Sequence, residues 1–191
     1  MSIYITAQII GFLGYLFFTT APNFKNQSRI IQMDALACVF LCLQWMLLAQ
    51  SALLILNLLN LAVSLYVLNT KNQDIIEKQT PILCLTGGIA LYLVSSGSFV
   101  GILCIIAFCA IVRAKSSNDI STFRSFSVLS GVAFMLCGII ALSVPAIIFN
   151  AAFILTHLRK IQPPQKPFFG NAIIEAQKKL AARMRTNFLT Q

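Results

Sequence analysis

The amino-acid sequence predicts an all-α integral membrane protein. Its seven transmembrane helices form two parallel three-helix bundles joined by a linker helix, with the N-terminus outside and the C-terminus inside. Three observations carry that prediction. Hydrophobic residues make up 58% of the 191 and charged ones only 10%, a balance that leaves too little polar surface to clothe a soluble domain. Apolar runs too long for a single crossing alternate with short charged loops. Lys and Arg occupy every second loop and avoid the others, the bias that membrane topology follows.

In chain order, residues 3–21 form the first span; no basic residue precedes it, so it does not read as a cleaved signal peptide. A polar loop with Lys25 and Arg29 follows. The run 30–68 contains one charged residue, Asp34, and breaks at Gln50-Ser51 into helices over 30–49 and 51–68. The loop 69–80 carries Lys71, Asp74, Glu77 and Lys78, and Thr80-Pro81 then starts the fourth helix with proline at its first position. The run 81–112 folds at Ser95-Ser96-Gly97, giving a fifth helix over 98–114. After the loop 115–124, the run 125–158 folds at Ser143-Val144-Pro145. The first bundle therefore covers 1–68, a cytoplasmic loop and linker helix 69–97, the second bundle 98–158, and a basic cytoplasmic tail 159–191.

The charge of +9 sits in short loops and the tail, which excludes a nucleic-acid surface and suits topology and anionic lipid. Within the tail, residues 171–187 carry an apolar stripe of Ile173, Ala176, Leu180 and Met184. Two readings stand there: an amphipathic helix on anionic headgroups, and a loose basic tail that enforces topology. The six cysteines fall inside apolar runs without metal-ligand spacing and read as small hydrophobes. No nucleophile–base pair, metal cluster or phosphate loop appears, so no catalytic residue, metal or cofactor is expected.

Displacing the sequence by ninety residues lays Gly11 on Gly101, Lys25 on Lys115, Asn60 on Asn150 and Leu68 on Leu158. An odd linker helix makes such a duplication parallel. This layout resembles the SWEET sugar transporters and the wider PQ-loop group. The loop APNFKNQSR and the run LQWMLLAQSALLILNLLNLAV are most similar to the YgjV-like bacterial inner-membrane proteins. The resemblance implies a small-molecule transporter or facilitator with a path between the bundles for a small polar molecule. It further implies a binding role for Asn60 and Asn150, with Trp45 on the preceding helix and Met135 at the corresponding place in the second bundle. The proline-glutamine pair of that group is present only as Pro22-Asn23, and the second repeat has no proline there.

Each candidate has a plainer reading. Asn60 and Asn150 also suit interhelical packing, worth about 1 kcal/mol, and Asn57 suits it better. Trp45 fits an interfacial aromatic belt. Asp34 and Arg124 fall at equivalent positions and are expected to pair as a cytoplasmic gate, or else to snorkel to the water. His157 reads as an interfacial residue. A non-transporting receptor, scaffold or lipid-binding factor acting through the tail is the alternative function.

Overall fold

The computed structural model describes residues 2–70 and 72–161, so the tail expectation over 171–187 lies outside the described residues. Seven α-helices fill them: α1 (Ile3–Thr20), α2 (Gln27–Leu47), α3 (Ser51–Asn69), α4 (Gln73–Ser95), α5 (Phe99–Lys115), α6 (Ile120–Ile140) and α7 (Val144–Lys160), with a 3-10 turn, Ala21–Asn23, after α1. No strand occurs among the described residues.

Polar side chains set the helix starts on the side of the basic loops, and they move three boundaries from where hydropathy alone places them. Asn26 caps α2 by accepting from Ser28 N at 2.9 Å, so the helix begins at Gln27 and not at residue 30. Asn72 caps α4 by accepting from Asp74 N at 3.0 Å, and Asp74 in the first turn suits the helix dipole. The polar stretch 73–80 is therefore helical, and Pro81 lies inside α4 instead of starting it. Its missing N–H costs one bond, to the carbonyl of Glu77. Asp119 caps α6 by accepting from Thr122 N at 2.7 Å, which leaves only residues 116–119 between α5 and α6. Lys115 and Arg124 are thus helical residues.

The opposite end has three tight turns, each with a left-handed residue: Ala49 (φ 55°), Ser96 (φ 50°) and Leu142 (φ 51°), the second followed by Gly97 (φ 70°). The α2–α3 and α6–α7 turns are the same object. Leu48, Ala49 and Gln50 donate to the carbonyls of Gln44, Met46 and Trp45, while Ala141, Leu142 and Ser143 donate to those of Cys137, Ile139 and Gly138. The displacement between the two sets is 93 residues, the same as from Gln27 to Ile120 and from Ser51 to Val144.

Six helices pack as a closed ring in the order α1, α2, α3, α5, α6, α7 and back to α1, while α4 lies outside against α3 and α5. Two close approaches depend on glycine. Gln44 of α2 lies where a Cβ on Gly11 of α1 would stand, and Phe108 of α5 does the same at Gly87 of α4.

The bundle buries a set of polar and charged side chains within its apolar core and turns large apolar side chains outward. Leu85, Leu93, Phe99 and Ile148 are exposed, while Asp34, Asn57, Asn60, Ser64, Lys115, Arg124, Asn150 and His157 are buried. Water as solvent would impose the reverse; lipid permits this arrangement. Four helical segments are long and apolar enough to cross a membrane: Ile3–Asn23, Gln27–Leu47, Ser51–Asn69 and Ile120–Ile140. With 17 residues each, α5 and α7 rise about 25 Å, just short of a typical hydrocarbon core.

Candidate functional site

Lys115 ends α5, and its side chain runs back into the ring. An ammonium has three donors, and Lys115 Nζ meets three acceptors: Asp34 Oδ2 of α2, Asn60 Oδ1 of α3 and, at 2.6 Å, Ser64 Oγ of α3. The acceptors are themselves held. Ser64 Oγ donates to Asn60 O at 2.8 Å, and Asn60 Nδ2 reaches Cys38 Sγ at 3.1 Å. The Lys115 and Asp34 side chains retain only 5% and 11% of their exposure. A pair so buried is scarcely screened, and either charge left alone would be costly.

Two small cavities adjoin this centre. One, of about 10 Å³, is lined by Tyr15, Asp34, Asn57, Asn60, Phe134 and Asn150; it falls at the lower limit for a single water. The other, of about 30 Å³, has Asp34, Asn60, Lys115, Ser127, Ser130 and His157 on its wall, beside phenylalanine rings and aliphatic side chains. It has room for about two waters.

The structure brings some of the expected residues together and separates others. Asp34, Asn60 and Asn150 share the smaller cavity. Asp34 pairs with Lys115 and not with Arg124; the expected gate pair does not form, because Lys115 reaches the carboxylate from α5. Arg124 is buried, and no acceptor among the described residues meets its Nη1. Trp45 is buried with its indole N–H unpartnered, and Met135 is half-buried; neither lines the two cavities. The Trp45 ring lies inside the protein and not in an interfacial aromatic belt.

The asparagines follow the 93-residue register. Asn57 Nδ2 donates to Leu53 O at 2.8 Å and Asn150 Nδ2 to Ala146 O at 2.7 Å, each four residues back, and in both the Oδ1 is buried and unpartnered. The residue that matches Asn150 is therefore Asn57, one turn from Asn60. Asn60 matches Phe153, and Ser64 matches His157.

Sequence reasoning missed Lys115, Ser64 and His157. Lys115 was assigned to a basic loop and Ser64 drew no notice among apolar neighbours. His157, expected at the interface, is fully buried with both ring nitrogens unpartnered and packs edge-on to Phe153 at 4.4 Å between centroids. A signal for Lys115 was present, since a basic residue at the end of an apolar helix can reach a turn inward as readily as outward. Among the described residues no three His, Cys, Asp or Glu side chains gather as a metal site.

An all-helical bundle with lipid-suited outer faces and a buried charge network defines a polytopic membrane protein. The family model that describes bacterial inner membrane proteins of the YgjV type matches residues 5–162. The chain belongs to that family and is a bacterial inner-membrane protein. No curated protein and no solved structure matches it.

Proposed function

We propose that the protein is a facilitator or transporter of a small polar solute. The path runs between the α1–α3 and α5–α7 halves, and the Lys115–Asp34–Asn60–Ser64 network is its constriction. The observation that carries this reading is the buried charge network beside two cavities in a bundle whose outer faces suit lipid. Ionisable groups buried among membrane-spanning helices are costly and are by default candidates for a functional site such as a solute path. Both cavities are too small for a sugar, so the constriction is closed in this conformation and opens when Lys115 leaves the carboxylate.

The proposed layout has seven spans arranged three, one and three, as in SWEET-like proteins, with the N-terminus outside. Its support is the ring order, which keeps the same neighbours when α1, α2 and α3 are exchanged for α5, α6 and α7. The 93-residue register of the two hairpins supports a duplication. In that orientation the network lies toward the cytoplasm, and the tail meets anionic headgroups there.

A second reading is favoured by the amides of Asn57 and Asn150, which are spent on their own helices. It makes the protein a non-transporting receptor or scaffold with a permanently packed centre. A proteoliposome screen over sugars, nucleosides, vitamins and small organic acids separates the two. Transport predicts saturable uptake of one class, altered by Lys115→Met in protein of normal folded yield. Uptake of every solute at the level of empty vesicles would leave the scaffold reading standing.

A further inference from the structure

We infer that the two halves part first at the end of the tight turns, where Gln44 and Ser143 form the latch, while the end of the basic loops acts as the hinge. The α1–α3 and α5–α7 halves meet along two seams, α3 against α5 and α7 against α1. Toward the basic loops short bonds tie them. Lys160 Nζ of α7 donates to Pro22 O at 2.8 Å and to Asn23 Oδ1 at 3.0 Å, and Gln27 Nε2 of α2 donates to Ser117 O at 3.0 Å. Lys115 adds its ion pair with Asp34 and its bonds to Asn60 and Ser64. At the turns, the side-chain bonds that cross between the halves among the described residues are the Tyr4 hydroxyl to Leu142 O and Gln44 Nε2 to Ser143 Oγ, each at 3.4 Å. Both are longer than a well-formed hydrogen bond.

The second ground is what each end would gain from water. Gln44 is fully buried with its Oε1 unpartnered, and both amide atoms of Gln8 are buried without partners. These side chains lie on the α1–α7 seam: Gln44 packs on Gly11 and reaches Ser143, and Gln8 shares a groove with Pro145 at the start of α7. Asn57 and Asn150, less than two turns into α3 and α7, line the smaller cavity, and each keeps an unpartnered Oδ1. Opening at the turns would give all these groups water at the expense of two long bonds. Toward the basic loops Arg124 Nη1 and the His157 ring nitrogens are also unmet, but they belong to one half. Parting the halves there would split a buried ion pair.

Ser143 precedes α7 without capping it, so its hydroxyl serves the latch and not the helix. This opening rests on the transport reading for the path between the halves, and it names the side from which a solute first enters. In the orientation proposed above, that side is the outside.

Asn150→Cys places a thiol in the smaller cavity of the full chain. In nanodiscs both faces meet a membrane-impermeant methanethiosulfonate, and peptide mass mapping reads modification at position 150. The folded protein should be modified there at a rate that follows the open population. Ser143→Ala in that background takes away the latch acceptor without removing a helix cap, and should raise the rate about threefold or more. Gln8→Met removes the unmet amide from the closed state, and should lower the rate about threefold or more and raise the melting temperature. Lys160→Met, which loosens the other end of the same seam, should leave the rate unchanged. A rate unmoved by both Ser143→Ala and Gln8→Met would overturn the inference, and so would a rise in Lys160→Met equal to that in Ser143→Ala. A thiol at position 150 that reacts only after unfolding would overturn it too. No solute is present during labelling, so the outcome is separate from whether uptake is found.

Discussion

Replacing Lys115 by methionine keeps an unbranched apolar stem and removes the ammonium with its charge. Three acceptors lose their donor at once, and Asp34 is left buried and alone. Because the pair keeps so little exposure, no discount for solvent screening applies, and the expected cost is that of breaking a buried ion pair, about 3–5 kcal/mol. Asp34→Asn leaves an acceptor for the ammonium but strips it of its counter-charge, and should cost about 2–3 kcal/mol. The double variant removes both charges, so its loss should be close to that of one single change, which gives a coupling energy of about 2 kcal/mol or more. The assay is reversible unfolding in mixed detergent–SDS micelles, followed by far-UV circular dichroism and by the fluorescence of Trp45, the single tryptophan. A matching cycle on Asp34 and Arg124 should be additive, since those side chains do not pair. Additivity of the Lys115–Asp34 cycle to within about 0.5 kcal/mol would show that the network carries none of the energy assigned to it.

Adjacent glycines of α4 should behave oppositely. Gly87→Ala drives a methyl into the Phe108 ring and should destabilise by about 1–3 kcal/mol. At Gly88 the nearest atom lies 3.7 Å from the new methyl, so alanine should be neutral or gain up to about 1 kcal/mol from helix propensity. Thermal melts of the two variants check this, and equal shifts would refute the α4–α5 packing. Among the asparagines, Asn57→Ala and Asn150→Ala should cost alike, at most about 1 kcal/mol, because each loses one bond to its own helix and also removes an unpartnered oxygen. Asn60→Ala should cost about 1.5–3 kcal/mol, because it takes an acceptor from a buried ammonium. A grouping of Asn60 with Asn150, apart from Asn57, would restore the ninety-residue register.

The helix count and the three tight turns were legible because apolar runs of double length must fold back, and Gln50, Ser96 and Ser143 are the polar breaks near their middles. The start of α4 was not. Residues 73–80 are rich in polar side chains, a composition that loops share, and only Asn72 and Asp74 mark the helix start there. The same ambiguity hid Lys115. Read as a loop charge that sets topology, it was aligned with Lys25 and left no partner for Asp34 except Arg124. Of the candidate site, Asp34 and Asn60 were identified, and the residue that joins them was not.

The register explains why a single displacement misled. Starts of the first helix in each half, Ile3 and Phe99, are 96 residues apart, whereas the second and third helices are 93 apart. The link from α1 to α2 includes the 3-10 turn Ala21–Asn23, and that from α5 to α6 is shorter. A shift of ninety matches the loops by their charges and slips the second and third helices by nearly one turn, which in an apolar helix still lays leucine on leucine. Polar residues alone expose the slip, since they answer to hydrogen bonds and not to hydropathy. In the 93-residue register the starts of the second and third helices, two of the turns and one asparagine in each half coincide, while Asp34 aligns with Ser127 and Ser64 with His157. Under the proposed duplication the backbone would be matched between the halves and the charges one-sided. The anionic partner comes from α2, the cations from α5 and α6. A solute between the halves would meet a carboxylate and amide on one wall and basic groups on the other. In the proposed transporter such a site would hold its solute in one orientation, which a symmetric pair of asparagines would not require.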